Sequence, residues 1–242
     1  MDPVEGNMYI PDDTDESLPL IINIHGGAFI AGDADSLDIQ SDRISENNHA
    51  VVFTVDYTLL KPIDMVFSSE RKIGYQIDEV CDAVTYLADH TDEYGIDPDR
   101  VIIMGYSAGG HLALGATNHL IGEGFPVYAQ AIGYGQLGNG VELYDAVLDE
   151  RKALCNTLIV FIGAGDFISE SMREYYDLLL ENSVPVSKLK LPNANHGFLE
   201  ENNPEYANVE ESEGRSPEQE TYMYEAEAQI TEWLAGLDSA QS

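Results

Sequence analysis

The pentapeptide G-Y-S-A-G at residues 105–109 constrains the fold more than any other feature of this sequence. It follows the apolar run at 101–104 and opens a segment rich in Ala, Leu and His, which is typical of a helix. In that context a G-x-S-x-G motif places its serine on a sharp, strained turn between a strand and a helix. The flanking glycines let neighbouring backbone pass without a clash. The motif therefore predicts Ser107 as an exposed nucleophile at the end of a strand.

Other short apolar runs carry the same strand signal. They are rich in Val, Ile or Leu, lack strict alternation and end at residues that favour turns, as strands buried on both faces do. These runs lie at residues 20–24, 50–55, 127–132, 158–162 and 186–191.

Helical segments separate these runs. Apolar residues recur at steps of three and four between 73 and 87 and again between 169 and 181, and 107–120 is also predicted to be helical. An S-x-x-Q capping box at 216–219, with proline in the first turn, predicts the start of the last helix. Strands that alternate with helices predict an α/β fold, with a mostly parallel central sheet and helices on both faces. We expect one domain over residues 1–242.

The turn after the first predicted strand has the sequence His25-Gly26-Gly27-Ala28. In enzymes that carry G-x-S-x-G, an H-G-G turn at this place supplies backbone N–H groups to an oxyanion hole. We expect those donors to be the N–H groups of Gly27 and Ala28, together with that of Ala108. Gly26 would allow a close approach of the loop, and His25 is interpreted as a supporting residue that shapes it.

Asp166 and His196 complete a candidate catalytic triad with Ser107. Asp166 comes just after the run at 158–162, and catalytic groups gather at the carboxyl ends of parallel strands. It could also cap the next helix, and the two roles are compatible. Of the six histidines, His196 alone follows both the serine and this aspartate. Ser, Asp, His is the order in which the triad residues follow one another when the serine lies in a G-x-S-x-G motif. Its imidazole can accept the serine proton near neutral pH.

Four motifs together resemble the α/β-hydrolase superfamily: H-G-G-A-F at 25–29, G-Y-S-A-G-G-H-L-A-L at 105–114, G-A-G-D at 163–166 and N-H-G-F at 195–198. The chain is most similar to the serine esterases related to acetyl-xylan and feruloyl esterases and to hormone-sensitive-lipase-like esterases. That resemblance implies a carboxylic ester hydrolase that uses a Ser-His-Asp acyl-enzyme mechanism without a cofactor. Short-chain acyl esters, including acetylated or feruloylated carbohydrates, are the implied substrates.

Three segments depart from that pattern. Residues 1–19 are few and polar, so we expect the usual leading antiparallel strands to be reduced or missing. The region at about 134–156, where such enzymes often carry a lid, is short, which predicts an open site unless the stretch at 200–215 supplies another lid. The acidic stretch at about 200–215 is unlike the family and is predicted to be a long, solvated loop.

Two alternative functions stay open. Arylformamidases carry similar H-G-G and G-x-S-A-G turns, so an amide hydrolase is the second candidate within the hydrolases. The fold also serves as a scaffold for non-catalytic binding proteins, and a fold alone does not establish a function.

Charge and motif content restrict the partners. The chain has 44 Asp and Glu against 11 Lys and Arg, a net charge of -33, which disfavours nucleic acid and anionic membranes. A G-x-G-x-x-G match at 133–138 is broken at once by Asn139-Gly140, and no Cys and His spacing suits zinc, so neither a nucleotide cofactor nor a metal is predicted. The expected partner is a small-molecule or carbohydrate ester.

Cysteine content and the N-terminus bear on the compartment. Cys81 and Cys155 each lie in or beside an apolar run, which favours two buried thiols over a disulfide. The first residues lack a basic region followed by an apolar run, so a signal peptide is not predicted and a cytoplasmic location is expected.

The excess of acidic residues generates the first prediction. The melting temperature should rise between low ionic strength and about 1 M NaCl, because the Debye length falls to about 3 Å and repulsion between carboxylates is screened. Thermal unfolding at fixed pH measures this effect. The excess of acidic residues is open to two interpretations, solvated faces and mobile loops or an adaptation to high salt, and a midpoint that stays flat or falls would contradict the second.

Overall fold

The computed structural model describes residues 4–12, 17–61, 63, 69–135, 155–163, 169–203 and 213–239. Within these ranges the strands are β1 (Glu5–Tyr9), β2 (Leu18–Ile24), β3 (Val51–Asp56), β4 (Ile96–Tyr106), β5 (Ala129–Gly133), β6 (Asn156–Phe161) and β7 (Val186–Lys190). The helices are α1 (Asp38–Asn48), α2 (Ser69–Asp89), α3 (Thr91–Tyr94), α4 (Ala108–Gly122), α5 (Ser169–Glu181) and α6 (Pro217–Ser239), with a 3-10 helix at Ala34–Leu37.

The strands form one twisted layer in the order β1-β3-β2-β4-β5-β6-β7. All neighbouring pairs are parallel except β1 and β3. Consecutive residues of a strand point to opposite faces, so Ile21 joins the buried cluster under α1, α5 and α6 while Ile22 joins the cluster under α2 and α4. The predicted α/β architecture with helices on both faces is confirmed, whereas the assignment of residues 1–242 to one domain stays a prediction.

The first strand was not expected from the sequence. β1 pairs antiparallel with β3 at the edge of the sheet, with Glu5 opposite Asp56 and Tyr9 opposite Val52. Its residues are exposed or only half-buried, and an edge strand of that kind needs no apolar run. The leading antiparallel strands are therefore reduced in the described part of the chain, but not missing.

Helix α1 was also missed, because its buried face is polar. Gln40, Ser41 and Ser45 lie in that face, so the segment carries no apolar stripe. The Ser41 hydroxyl is 2.8 Å from the hydroxyl of Thr54 on β3. The Gln40 amide donates to the carbonyl of Leu199 at 2.8 Å. Hydrogen bonds thus replace apolar packing where α1 meets the sheet and the segment that follows His196.

Other sequence predictions have mixed outcomes. Both cysteines are buried free thiols as expected, and burial raises the pKa of Cys81 and Cys155 to about 12.

Most of the expected lid region, residues 136–154, lies outside the described residues. Residues 204–212 of the acidic stretch also lie outside them. The start of that stretch contradicts the solvated-loop prediction, since Glu200 and Asn203 are buried.

An ion pair joins α1 to α6. The Arg43 guanidinium donates to both carboxylate oxygens of Glu227, at 3.0 and 2.7 Å. Arg43 also donates to the side-chain oxygen of Asn203 at 3.3 Å. Glu227 is only 8% exposed, so its charge depends on this partner. The pair therefore fixes α6 against α1 close to the segment that begins at Glu200.

Loss of this pair should destabilise the fold. Arg43→Met leaves the Glu227 carboxylate buried without its cation, and we expect the free energy of unfolding to fall by about 2–4 kcal/mol. Denaturant titration measures the loss. The double variant Arg43→Met/Glu227→Leu should recover much of it, because no buried charge remains. A double variant less stable than the single one would contradict this account.

Candidate active site

Ser107 makes the turn between β4 and α4. Its backbone has φ 51° and ψ -117°, a left-handed conformation that residues with side chains rarely adopt. The Ser107 N–H donates to the carbonyl of Gly133 at 3.0 Å. A Cβ at Gly109 would clash with the backbone carbonyl at the end of β2, so the helix can begin this close to the sheet only with glycine there. The strained turn that the motif predicted is present.

His196 lies in the segment after β7 and reaches the serine. Its Nε2 is 2.9 Å from the Ser107 Oγ, which is hydrogen-bonding distance. With the ring proton on Nδ1, the hydroxyl donates to Nε2, and the imidazole is placed to take up that proton. Both side chains are half-buried, so the hydroxyl is screened from bulk water but still accessible.

Gln219 on α6 fixes the segment that carries His196. Ser216 caps the helix as predicted, because its hydroxyl accepts from the Gln219 N–H at 3.1 Å. The Gln219 side chain does not complete the capping box. Instead it accepts from the Asn195 N–H at 2.7 Å and donates to the Asn193 carbonyl at 3.1 Å. A residue predicted to cap a helix therefore clamps the backbone next to His196.

Asp166 lies outside the described residues, since positions 164–168 are not described. The chain before it leaves the sheet beside the histidine segment, because the Gly163 N–H donates to the carbonyl of Ala194 at 3.1 Å. This contact lies two residues before His196 and three before Asp166. The place of Asp166 in the triad stays a prediction.

The H-G-G-A turn packs directly against the serine. A Cβ at Gly26 would lie 3.1 Å from the Ser107 Cβ, so this turn and the serine turn meet at Gly26. Gly27 and Ala28 have φ of 100° and 53°, which turns the backbone sharply. The Gly27 carbonyl accepts from Ala31 at 3.0 Å and so closes the turn. The predicted oxyanion donors at Gly27, Ala28 and Ala108 thus belong to two turns in mutual contact.

His25 supports the H-G-G-A turn through its buried ring. Its ring stacks on Tyr57 with centroids 4.3 Å apart, and its Nδ1 is 2.7 Å from the Gly26 carbonyl oxygen. Burial lowers the pKa of His25, so the ring is neutral and Nδ1 carries the donated proton. The Tyr57 hydroxyl donates to the same carbonyl at 2.9 Å. Because that carbonyl shares a peptide plane with the Gly27 N–H, these contacts set the direction of the N–H.

Glu200 is part of the site, and sequence reasoning missed it. Its Oε1 accepts from the Gly26 N–H at 2.5 Å, and its Oε2 accepts from the Tyr134 hydroxyl at 3.2 Å. Burial raises the pKa of Glu200 to about 7, against the opposing effects of these donors and of His196. The available signal was its place at the end of the apolar run Phe198-Leu199, whereas the acidic block that follows suggested a solvated loop.

Tyr134 forms the wall behind the imidazole. It is fully buried, and its ring lies edge-on to His196 with centroids 5.0 Å apart. It also contacts Phe198 at 5.6 Å. These contacts limit how far the imidazole can turn away from the serine.

Two further features bear on the kind of site. Among the residues that the structure describes, no group of three or more His, Cys, Asp or Glu side chains is arranged to hold a metal ion. The helices in those ranges also include none that is long and apolar enough to cross a bilayer.

Curated relatives of this chain include several esterases. An arylesterase from Saccharolobus solfataricus is 32% identical over 93 residues, which cover 38% of this chain and 28% of that protein. A probable isoprenylcysteine alpha-carbonyl methylesterase from Arabidopsis thaliana is 25% identical over 185 residues, or 73% of this chain and 36% of that protein. The chain thus spans about a third of the length of these relatives.

Solved structures share the fold over nearly the whole chain. A hyperthermophilic esterase from the archaeon Pyrobaculum calidifontis superposes with a TM-score of 0.72 at 21% identity, covering 98% of this chain and 87% of that one. A bacterial heroin esterase gives a TM-score of 0.70 at 22% identity, covering 96% and 85%. The model of the BD-FAE family matches residues 7–176. The chain therefore belongs to the BD-FAE family, and its fold is that of the α/β-hydrolases, as its motifs predicted.

Proposed function

We propose that this protein hydrolyses carboxylic esters through an acyl-enzyme formed on Ser107. The observation that carries the proposal is the 2.9 Å contact between the Ser107 Oγ and the His196 Nε2. A serine hydroxyl alone is a weak nucleophile, and an imidazole at this distance is the base that activates it. A non-catalytic scaffold has no need for a strained serine hydrogen-bonded to histidine beside an H-G-G turn.

The reaction has two halves. Ser107 Oγ attacks the ester carbonyl carbon while its proton passes to His196 Nε2, and the carbonyl oxygen becomes an oxyanion. The N–H groups of Gly27, Ala28 and Ala108 donate to that oxyanion. The intermediate collapses, the ester C–O bond breaks, and His196 gives its proton to the leaving alcohol. Water then attacks the acyl-enzyme in the same way, which releases the acid and restores Ser107.

Asp166 has the supporting role in this scheme. A carboxylate that accepts from the imidazole Nδ1–H keeps the ring in the tautomer that can take the serine proton, and it stabilises the imidazolium that results. The contact of Gly163 with the His196 segment supports this role, because the chain toward Asp166 starts next to the histidine.

The proposed substrates are neutral esters with short acyl chains, with acetylated or feruloylated carbohydrates among the candidates. Only residues 134–155 connect β5 to β6, which favours a short lid and an open site. The net charge of -33 disfavours strongly anionic substrates and nucleic acid. The relatives described as esterases support the reaction class. The cytoplasmic location expected from the sequence stays a prediction.

Triad variants test the mechanism. Ser107→Ala and His196→Ala should each lower kcat on p-nitrophenyl acetate by at least about 10³-fold, and the double variant should be little worse, because the two groups act as a unit. Asp166→Asn should lose less. A fluorophosphonate should label the wild-type protein at Ser107 and leave Ser107→Ala unlabelled. A folded wild-type protein that does not react would instead indicate a binding protein.

Acyl-chain length tests the substrate class. The wild-type enzyme should hydrolyse p-nitrophenyl acetate or butyrate much faster than the palmitate, because a short covering segment offers little apolar surface to a long chain. Comparison of kcat/KM across the series, with acetylated and feruloylated sugars added, measures the preference. A preference for chains beyond about ten carbons would indicate a lipase, since each buried methylene adds about 0.8 kcal/mol.

Faster cleavage of N-formyl arylamines than of any ester would indicate the amide hydrolase.

A further inference from the structure

Glu200 connects the segment that carries His196 to the H-G-G turn, and the proposed reaction needs both. It follows His196 by four residues, and its carboxylate binds the backbone of the H-G-G turn on β2. Both carboxylate oxygens are used, one by the Gly26 N–H and the other by the Tyr134 hydroxyl. The side chain is only 2% exposed, so these donors replace the water that a carboxylate would otherwise bind.

The contact with Gly26 bears on the oxyanion hole. Glu200 holds the Gly26 N–H from one side, while the Tyr57 hydroxyl and the His25 ring hold the Gly26 carbonyl from the other. The peptide that contains this carbonyl also contains the Gly27 N–H, a proposed oxyanion donor. A donor must be aimed at the developing charge before the reaction starts, and removal of one such donor lowers kcat by about 10²–10³-fold.

The charge of Glu200 bears on the histidine. The positive charge of His196 favours the ionised carboxylate of Glu200, and Tyr134 contacts both residues, through its hydroxyl on Glu200 and its ring edge on His196. Two cations act on the neighbours of Glu200, since Arg215 lowers the pKa of Glu201 and Arg43 lowers that of Tyr106. Glu201 is a half-buried acid whose charge opposes that of Glu200, and Tyr106 and Tyr134 stay neutral because burial raises each pKa well above its usual value.

We propose that Glu200 is a positioning residue of the esterase reaction: its carboxylate holds the oxyanion turn through Gly26, and it holds Tyr134, the wall behind His196, so that its negative charge lies beside the segment that carries the histidine. This inference rests on the proposed function, because it assigns Glu200 to the same serine site. It does not make Glu200 a member of the triad, since the carboxylate contacts the turn and not the reacting atoms.

Two substitutions separate the two roles. Glu200→Gln keeps an acceptor for the Gly26 N–H and removes the charge, whereas Glu200→Ala removes both. We expect kcat on p-nitrophenyl acetate to fall about 10-fold in the first variant and about 100-fold or more in the second, with KM changed by less than about threefold. The difference in kcat between Glu200→Gln and Glu200→Ala measures the contribution of the hydrogen bond between Glu200 and Gly26.

The pH dependence of kcat/KM tests the role of the charge on Glu200. A general base acts in its unprotonated form, so kcat/KM rises with pH. The pKa of Glu200 is itself raised to about 7, so its charge is gained near neutral pH, and Glu200→Gln should change the shape of the rising limb by removing this ionisation. A role confined to packing would change the amount of folded enzyme and leave the shape of the limb unchanged.

Glu79→Gln is the matched control. Glu79 is also a buried carboxylate, and it likewise accepts from one backbone N–H and one hydroxyl, both of Thr58, at 2.9 and 2.6 Å. The same substitution there should leave the pH limb unchanged and kcat within about twofold, since Glu79 does not contact the serine turn or His196.

Active-site titration with a fluorophosphonate keeps the outcomes apart. Rates are expressed per labelled Ser107, so loss of folded protein does not count as loss of catalysis. A wild-type protein that is not labelled and shows no activity defeats the esterase proposal itself. A labelled, active wild type whose Glu200→Gln variant keeps the wild-type kcat and pH limb overturns the role of the Glu200 charge. Equal kcat values for Glu200→Gln and Glu200→Ala would overturn the positioning of Gly26.

Discussion

Backbone packed directly on backbone around Ser107 is the constraint on which the site depends. The first turn of α4 lies against the end of β2, and a Cβ at Gly109 would clash with the carbonyl oxygens of Ile24 and His25. This contact brings the serine turn and the H-G-G turn together before any side chain contributes. It also puts the strained residue at the carboxyl edge of the parallel sheet, where β5, β6 and β7 also end. The strain at Ser107 persists because packing on both sides leaves the chain no alternative path.

Polar contacts from distant helices then fix the histidine. Gln219 on α6 clamps the backbone before His196, and Gln40 on α1 binds the Leu199 carbonyl after it. The pair of Arg43 and Glu227 joins those two helices to each other. The position of His196 relative to Ser107 is therefore set by elements on one face of the sheet, together with Phe198 and Leu199 of the segment itself, which are buried in the core of that face. A loop held in this way can place an imidazole accurately while it remains partly open to substrate.

The sequence predicted what is encoded locally and missed what depends on tertiary partners. Strands β2 to β6 were found because burial on both faces leaves apolar runs, and the contact between Ser107 and His196 was expected because the turns around them need particular residues at fixed spacing. The prediction that β7 is also buried on both faces was wrong, because β7 lies at the edge of the sheet with Ser187, Lys188 and Lys190 exposed. Helix α1 was missed because Gln40 and Ser41 bury their side chains through hydrogen bonds to the sheet and to the histidine segment. Glu200 was assigned to a solvated block because only the folded chain shows that Gly26 and Tyr134 satisfy its oxygens. Composition describes the average acidic residue, and Glu200 is the exception.

Burial of Glu200 has a thermodynamic consequence that surface acids do not share. Its pKa is raised from 4.5 to about 7 in the fold, so the folded protein binds more protons at this site than the unfolded chain between those values. Stability therefore falls as pH rises through that window, by about 3 kcal/mol if the shift is fully expressed. Exposed carboxylates weaken the fold by mutual repulsion, which salt screens, but salt screens a buried charge much less. The net charge of -33 and the ionised Glu200 thus oppose folding in separable ways. Above pH 7 the fold holds Glu200 ionised at a cost in stability, and the hydrogen bonds from Gly26 and Tyr134 offset part of that cost because they favour the ionised form.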